Sequence, residues 1–351
     1  DLRGGTDLRG GTDLRGGAPL RGWGANIRAF GAPMPSADGQ VMVFNARDIF
    51  ADTGTDSLQV LASIPNLWPW LTPVGQGYRY VANAALLRNI SFNYLQRDVP
   101  AGYEYGLQIY YSPDEGQHWT QLAAQINTQD NLAVARAPGT GLYVLAASVD
   151  IPLVTPGWQL FAYPIPEARP VTVALLSITG AYTTVYGYDS TDKVDPWRIY
   201  DAAAPAWAND LAQMQFGRGY WMGVTRPVTL QLGIPLALSG QTLAHGAVEG
   251  LSQLTPPAAF YGAISGPSRA AFAAGATITA WIGANACGQG VITRAGDGET
   301  RYRVKVRAAS AELPGCGVPG QAVIFKVGNV TLAQTGRWDN RRPQALALSA
   351  P

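Results

Sequence analysis

Arg301-Tyr302-Arg303-Val304-Lys305-Val306-Arg307 alternates cationic and apolar side chains without a fault. A period of two marks a strand with one buried face, so Tyr302, Val304 and Val306 are expected to point into a core. Thr277–Ile282 and Ala322–Val327 have the same β-branched and aromatic character. About seven such short strands fit into residues 257–351, which suggests an immunoglobulin-like or prealbumin-like β-sandwich. The chain's only thiols, Cys287 and Cys316, fall in this stretch, each beside a glycine. They are expected to form one disulfide, worth about 3–4 kcal/mol by loop entropy; two free buried thiols are the alternative. A disulfide in turn implies an oxidising compartment.

Working outward, the 351 residues exceed what one core usually covers, so two or three domains are expected. Hydrophobic residues make up 47% and charged residues 14%, with 41 Gly and 25 Pro, a composition of many turns and short strands. Residues 23–153 read as a first all-β domain, with runs at 40–44, 78–81, 90–94, 107–111 and 142–145. Residues 57–64 read as a strand or a short helix, and periodicity does not decide between them. Pro65, Pro69 and Pro73 flank Trp68 and Trp70 and predict an irregular packed loop.

Residues 154–234 read as a small α+β module. Helices are expected at 170–178 and 207–214, strands at 157–164, 183–188 and 197–200, and 219–224 with 228–232 closing the unit. Residues 235–256 read as a linker. The fold class is therefore mainly β: two β-sandwich-type domains flank a small α+β module, behind an extended N-terminal segment.

That segment is a repeat. Asp-Leu-Arg-Gly-Gly-Thr occurs twice, then Asp-Leu-Arg-Gly-Gly-Ala, then a degenerate Pro19-Leu20-Arg21-Gly22. Six is even, so in an extended strand Leu2, Leu8, Leu14 and Leu20 share one face, while Arg3, Arg9 and Arg15 share the other with Asp1, Asp7 and Asp13. Residues 1–22 are read as a strand added to a neighbouring subunit, with pairing to its own domain or a flexible glycine-rich tail as the alternatives. The opening Asp1 reads as the start of a mature form or of a fragment, with the repeat continuing upstream in a longer precursor as a further reading.

The middle module carries four marks in order: Gly157-Trp158, Tyr186-Gly187-Tyr188-Asp189, Trp197 with Tyr200-Asp201, and Gly217-Arg218-Gly219-Tyr220-Trp221. With these it resembles a module of secreted and surface-layer proteins of filamentous bacteria. Residues 257–351 are similar to carboxypeptidase-regulatory-like or collagen-adhesin-B-type β modules. The resemblance implies a surface location and a scaffold role, and carries over no catalytic residue. Ser112, Asp114, Gly116 and Trp119 fit the Asp-box pattern of sialidase-like propellers. Its physics is a capped hairpin: the Asp caps the turn, Gly takes positive φ and Trp packs beneath.

The chemistry is sparse. Net charge is +1, which argues against a nucleic-acid footprint. No apolar run reaches the length of a membrane helix. Two His and two Cys leave no room for a multi-ligand zinc or iron–sulfur site, so no cofactor or metal is assigned. No nucleophile elbow, Walker A or metalloprotease spacing occurs. His118 and His245 are the only imidazoles, and His245 sits in the linker. Asp189 to Asp195 form a loop for Ca²⁺ or for turn capping. Asn89-Ile90-Ser91 and Asn329-Val330-Thr331 are sequons read as incidental. Only three basic residues are lysines (Lys193, Lys305, Lys326), so lysine-based isopeptide crosslinks would be few.

The expectation is a non-enzymatic, extracellular or cell-surface structural subunit that assembles with identical copies through N-terminal strand addition. The alternative is an adhesin or polysaccharide-binding protein using aromatics such as Trp68, Trp70, Tyr103 and Tyr105. A secreted hydrolase with an unrecognised carboxylate pair is the third reading.

Overall fold

The computed structural model describes residues 33–45, 56–82, 87–99, 103–235, 254–266 and 272–350. Leu2, Leu8, Leu14, Leu20, Arg3, Arg9 and Arg15 lie outside the described residues, as do His245 and most of the expected linker. The chain is mainly β and divides into two compact units. Residues up to Asp150, rejoined from Gln231 onward, make the first; Ile151–Leu230 with the described residues from 254 onward make the second.

The first unit contains two antiparallel sheets. One has the order Met34–Pro35, Val41–Asn45, Arg88–Asn93, Leu132–Ala137, Ala124–Asn127. The other runs Ser57–Val60, Thr72–Val81, Gly141–Leu153, Leu107–Ser112, Thr120–Gln121. Residues 57–60, ambiguous in sequence, are thus an edge strand. Tyr78 meets Phe92 edge-on between the sheets at 5.5 Å. Inside, the Arg88 guanidinium and the Tyr80 hydroxyl both donate to Asp56 Oδ2, at 3.1 and 2.7 Å, which makes a buried ion pair.

The second sheet is covered on its far side too. Leu71, Tyr110, Leu142, Val144 and Ala146 pack there against Leu61, Ile64, Leu67, Trp68 and Trp70. This is the irregular loop expected between the prolines. Because both faces are covered, Gly141 to Val149 are buried without a break. The segment expected to close the middle module behaves differently after Leu230: Gln231 onward returns to the first unit. There Thr72 Oγ1 donates to Ile234 O at 2.7 Å and accepts from Ile234 N at 2.8 Å. Partners 162 residues away outcompete the local ones, and spacing along the chain carries no trace of them.

In the second unit, residues 157–224 form a four-stranded antiparallel sheet ordered Gly157–Ala162, Gly219–Val224, Tyr182–Tyr188, Trp197–Asp201. Helical content is small: Val171–Ala174 is α-helical and Leu176–Ile178 is 3₁₀. The second expected helix does not form. Ala206–Ala208 is a 3₁₀ turn and Gln213–Met214 pairs with Arg169–Pro170. Asp210 and Asn209 accept backbone N–H groups of the strand Trp197–Asp201, which draws that stretch out flat.

The C-terminal strands form one continuous curled sheet. Its order is Val330–Arg337, Ala322–Val327, Thr277–Ile282, Asn285–Arg294, Thr300–Val306, Ala258–Ser265, Gln344–Ala345, with Leu348–Ser349 also parallel to Ala258–Ser265. The curl brings its ends together, where the Gln334 amide donates to Ser349 Oγ at 2.9 Å and accepts from Ser349 N at 2.6 Å. Tyr302, Val304 and Val306 are fully buried inside, with Phe260, Phe325 and Trp338. Cys287 and Cys316, 29 residues apart, form a disulfide with Cα atoms at 5.4 Å.

Candidate functional site

The charged face of Thr300–Val306 does not meet solvent throughout. Arg301, Arg303 and Lys305 project toward the four-stranded sheet of the same unit. The Lys305 side chain is only 6% exposed. Its ammonium donates to Asp195 Oδ2 at 2.7 Å, Asp210 Oδ2 at 2.6 Å and the Trp197 carbonyl at 2.5 Å. Three acceptors surround the amine, which serves as a structural donor. Asp210 Oδ1 also accepts from Ile199 N at 2.6 Å, which fixes the carboxylate along the strand.

Around this clamp the apolar contacts are dense. The Tyr186 hydroxyl donates to Pro257 O at 2.8 Å, and Tyr186, Trp197 and Ile199 pack with Ala259. Trp207 meets Tyr261 edge-on at 5.6 Å and lies 5.3 Å under the Arg301 guanidinium. The module's sequence marks now have a physical account. Trp158 pairs with Gly223, and Tyr186 with Trp221. A Cβ at Gly187 would press on the Tyr220 ring at 3.1 Å. Most of the marks are positions of one sheet, while Asp189, Gly217 and Arg218 lie in its turns.

The Asp189–Asp195 loop is capped and paired. Asp189 Oδ1 accepts from Thr191 N and Oγ1, at 3.1 and 2.6 Å. Asp192 Oδ1 accepts from Val194 N and Asp195 N, at 3.1 and 3.0 Å, and Arg198 reaches its Oδ2 at 2.7 Å. The backbone N–H of Asp195, then Arg198, hold the Asp192 carboxyl down at about 2. Among the described residues no group of three or more acidic, His or Cys side chains gathers around one point. The geometry is that of capped turns.

The Asp-box positions are brought together as a hairpin. Ser112 Oγ donates to Asp114 Oδ1 at 2.8 Å and accepts from Gly116 N at 2.8 Å. Gly116 has φ +87°, and Trp119 is buried beneath. His118 Nδ1 lies 2.5 Å from Asp114 Oδ2, and this contact chiefly holds the Asp114 carboxyl down at about 2. Serine, aspartate and histidine are thus neighbours in the wrong order for catalysis. The carboxylate stands between the other two, and a general base must touch the hydroxyl it activates.

The sugar-stacking aromatics named from sequence separate. Trp68 and Trp70 are half-buried and stacked at 5.4 Å, with Trp68 against Tyr110. Tyr103 is buried, while Tyr105 is 64% exposed. Asp210 and the Arg88–Asp56 pair were not singled out in the sequence, and Lys305 was named there only as one of three lysines. The one available signal for Lys305 was its place on an otherwise all-arginine face.

No family model matches this chain, and neither a curated protein nor a solved structure shows significant similarity to it.

Proposed function

We propose that this protein is an extracellular structural subunit: a stiff β scaffold whose N-terminal repeat adds as a strand to a neighbouring copy. The observation that carries the reading is how the polar chemistry is used. Lys305 with its three acceptors, the buried Arg88–Asp56 pair, the Asp-box hairpin and the Cys287–Cys316 bond all hold strands in place. The disulfide supports an oxidising location. The resemblance of residues 154–234 to surface-layer modules points the same way. In the repeat, Leu2, Leu8, Leu14 and Leu20 supply an apolar seam for pockets on the acceptor, and backbone hydrogen bonds supply much of the affinity. Donor and acceptor surfaces differ, so the contact is heterologous and propagates where it does not close a ring.

The test compares the full chain with a chain lacking residues 1–22 and with Leu8→Asp/Leu14→Asp, by negative-stain electron microscopy and light scattering. Polymers are expected from the full chain only, with unchanged circular dichroism in all three. Normal polymers from the double variant refute the proposal.

A further inference from the structure

The first unit contains a cleft lined by strands of both its sheets. It measures about 280 Å³, close to the ~300 Å³ lower end of small-molecule sites. Its origin is a bulge in the strand Thr72–Val81. Val144 pairs with Gly77, but Ala146 pairs with Pro73, so Val74, Gly75 and Gln76 stand opposite Leu145 alone. Gly75 sits at φ +75°, where a side chain is strained. Bulges of this kind re-aim side chains beside binding sites. Here Val74, Phe92 and Leu145 line an apolar part of the cleft, and Asp38, Gln40, Gln76, Asn93 and Asp98 the polar part.

Asn93 is 7% exposed, and its Nδ2 has no hydrogen-bond partner among the described residues. A buried donor left unmade is costly and native structures seldom keep one without a reason. Asp38, by contrast, is already engaged at both oxygens. Its Oδ1 accepts from Ser36 Oγ at 2.5 Å and Gln40 N at 3.1 Å, and its Oδ2 from the Tyr78 hydroxyl at 2.8 Å. Three donors fix this carboxylate and compete with any cation for its oxygens. Asp98 adds a second carboxylate, 38% exposed, with the solvent-exposed Arg97 at 3.7 Å.

From this geometry we propose that the cleft binds a neutral saccharide unit. The ligand must accept a hydrogen bond from Asn93, tolerate two carboxylates and lay an apolar surface on Val74, Phe92 and Leu145. Sugar hydroxyls both donate and accept, and a pyranose ring offers a C–H face. Uronate and sialate sugars are repelled by Asp38 and Asp98. This site is distinct from the aromatics Trp68, Trp70 and Tyr105.

The test probes the full-length chain with an array of neutral and uronate-containing oligosaccharides, followed by calorimetric titration of the hits. Neutral oligosaccharides are expected to bind and uronates not. Asn93→Asp, which turns the donor into an acceptor, and Gln76→Ala, at an exposed position, should each weaken binding about tenfold. Tyr105→Ala should leave it unchanged. If Asn93→Asp fails to fold by circular dichroism, Gln76→Ala decides. No bound neutral glycan, binding of uronates alone, or wild-type affinity in Gln76→Ala overturns the proposal. Light scattering on the same samples keeps the two proposals apart: a monomer that binds removes only assembly, and a polymer that binds nothing removes only this site.

Discussion

Lys305→Met is the sharpest probe of the second unit. Methionine keeps most of the lysine's volume and removes its charge. It leaves Asp210, whose side chain is 14% exposed, with the Ile199 N–H but without its ammonium, and Arg303 no nearer than 3.8 Å. Removing one partner of a buried pair costs about 3–5 kcal/mol. Asp195 is 39% exposed, so its share is that of a surface pair, under about 1 kcal/mol. The lower end, about 3 kcal/mol, is therefore expected. In a unit of roughly 150–250 residues each kcal/mol moves Tm by about 2–4 °C, so the transition should fall by about 6–12 °C in differential scanning calorimetry. Replacing both ends, with Lys305→Met/Asp210→Asn, should recover most of that loss because no buried charge is stranded. A Lys305→Met transition within about 2 °C of wild type would refute the clamp.

Two further outcomes are expected. Gly116→Ala places a Cβ 2.4 Å from Pro65 O at a φ of +87°. It should cost about 2 kcal/mol in denaturant unfolding and loosen the Trp68–Trp70 loop, read as a red-shifted tryptophan emission. Unchanged stability and emission would show that the hairpin does not brace the loop. For acid, the Asp192 carboxyl is held below its ordinary 3.8, at about 2, in the folded protein. A depressed folded-state value means that stabilisation is present above about pH 4 and is lost as pH falls toward 2. Amide protection factors at Val194 and Asp195, taken against the intrinsic rate at each pH, should fall across that window, and protection that stays flat from pH 5 to 2 would contradict the capping role.

The strand at Thr300–Val306 was legible because its alternation is local, and the buried set Tyr302, Val304, Val306 follows from it directly. The Asp-box hairpin was legible for the same reason: each hydrogen bond that shapes its turn spans four residues or fewer. Lys305 was not, since its acceptors lie 95 to 110 residues away and a cationic face reads as solvated. The helix expected over 207–214 failed on competition, because Asn209 and Asp210 spend their side chains on a neighbouring strand. The cleft was invisible for a third reason. It is made by a register shift, and sequence periodicity reports the face of a residue, not a skipped partner.

The unbroken burial of Gly141 to Val149 also bears on how the chain reaches this state. Nine consecutive residues without a charge, strand-prone and rich in apolar side chains, form the kind of window that self-associates when exposed. Two separate coverings must arrive before it is hidden, the facing sheet on one side and the Trp68–Trp70 loop on the other. During synthesis the loop is made about seventy residues earlier and waits for the strand. Folding of the first unit is thus a race between that docking and aggregation, and variants that delay the loop should lose soluble yield before they lose stability.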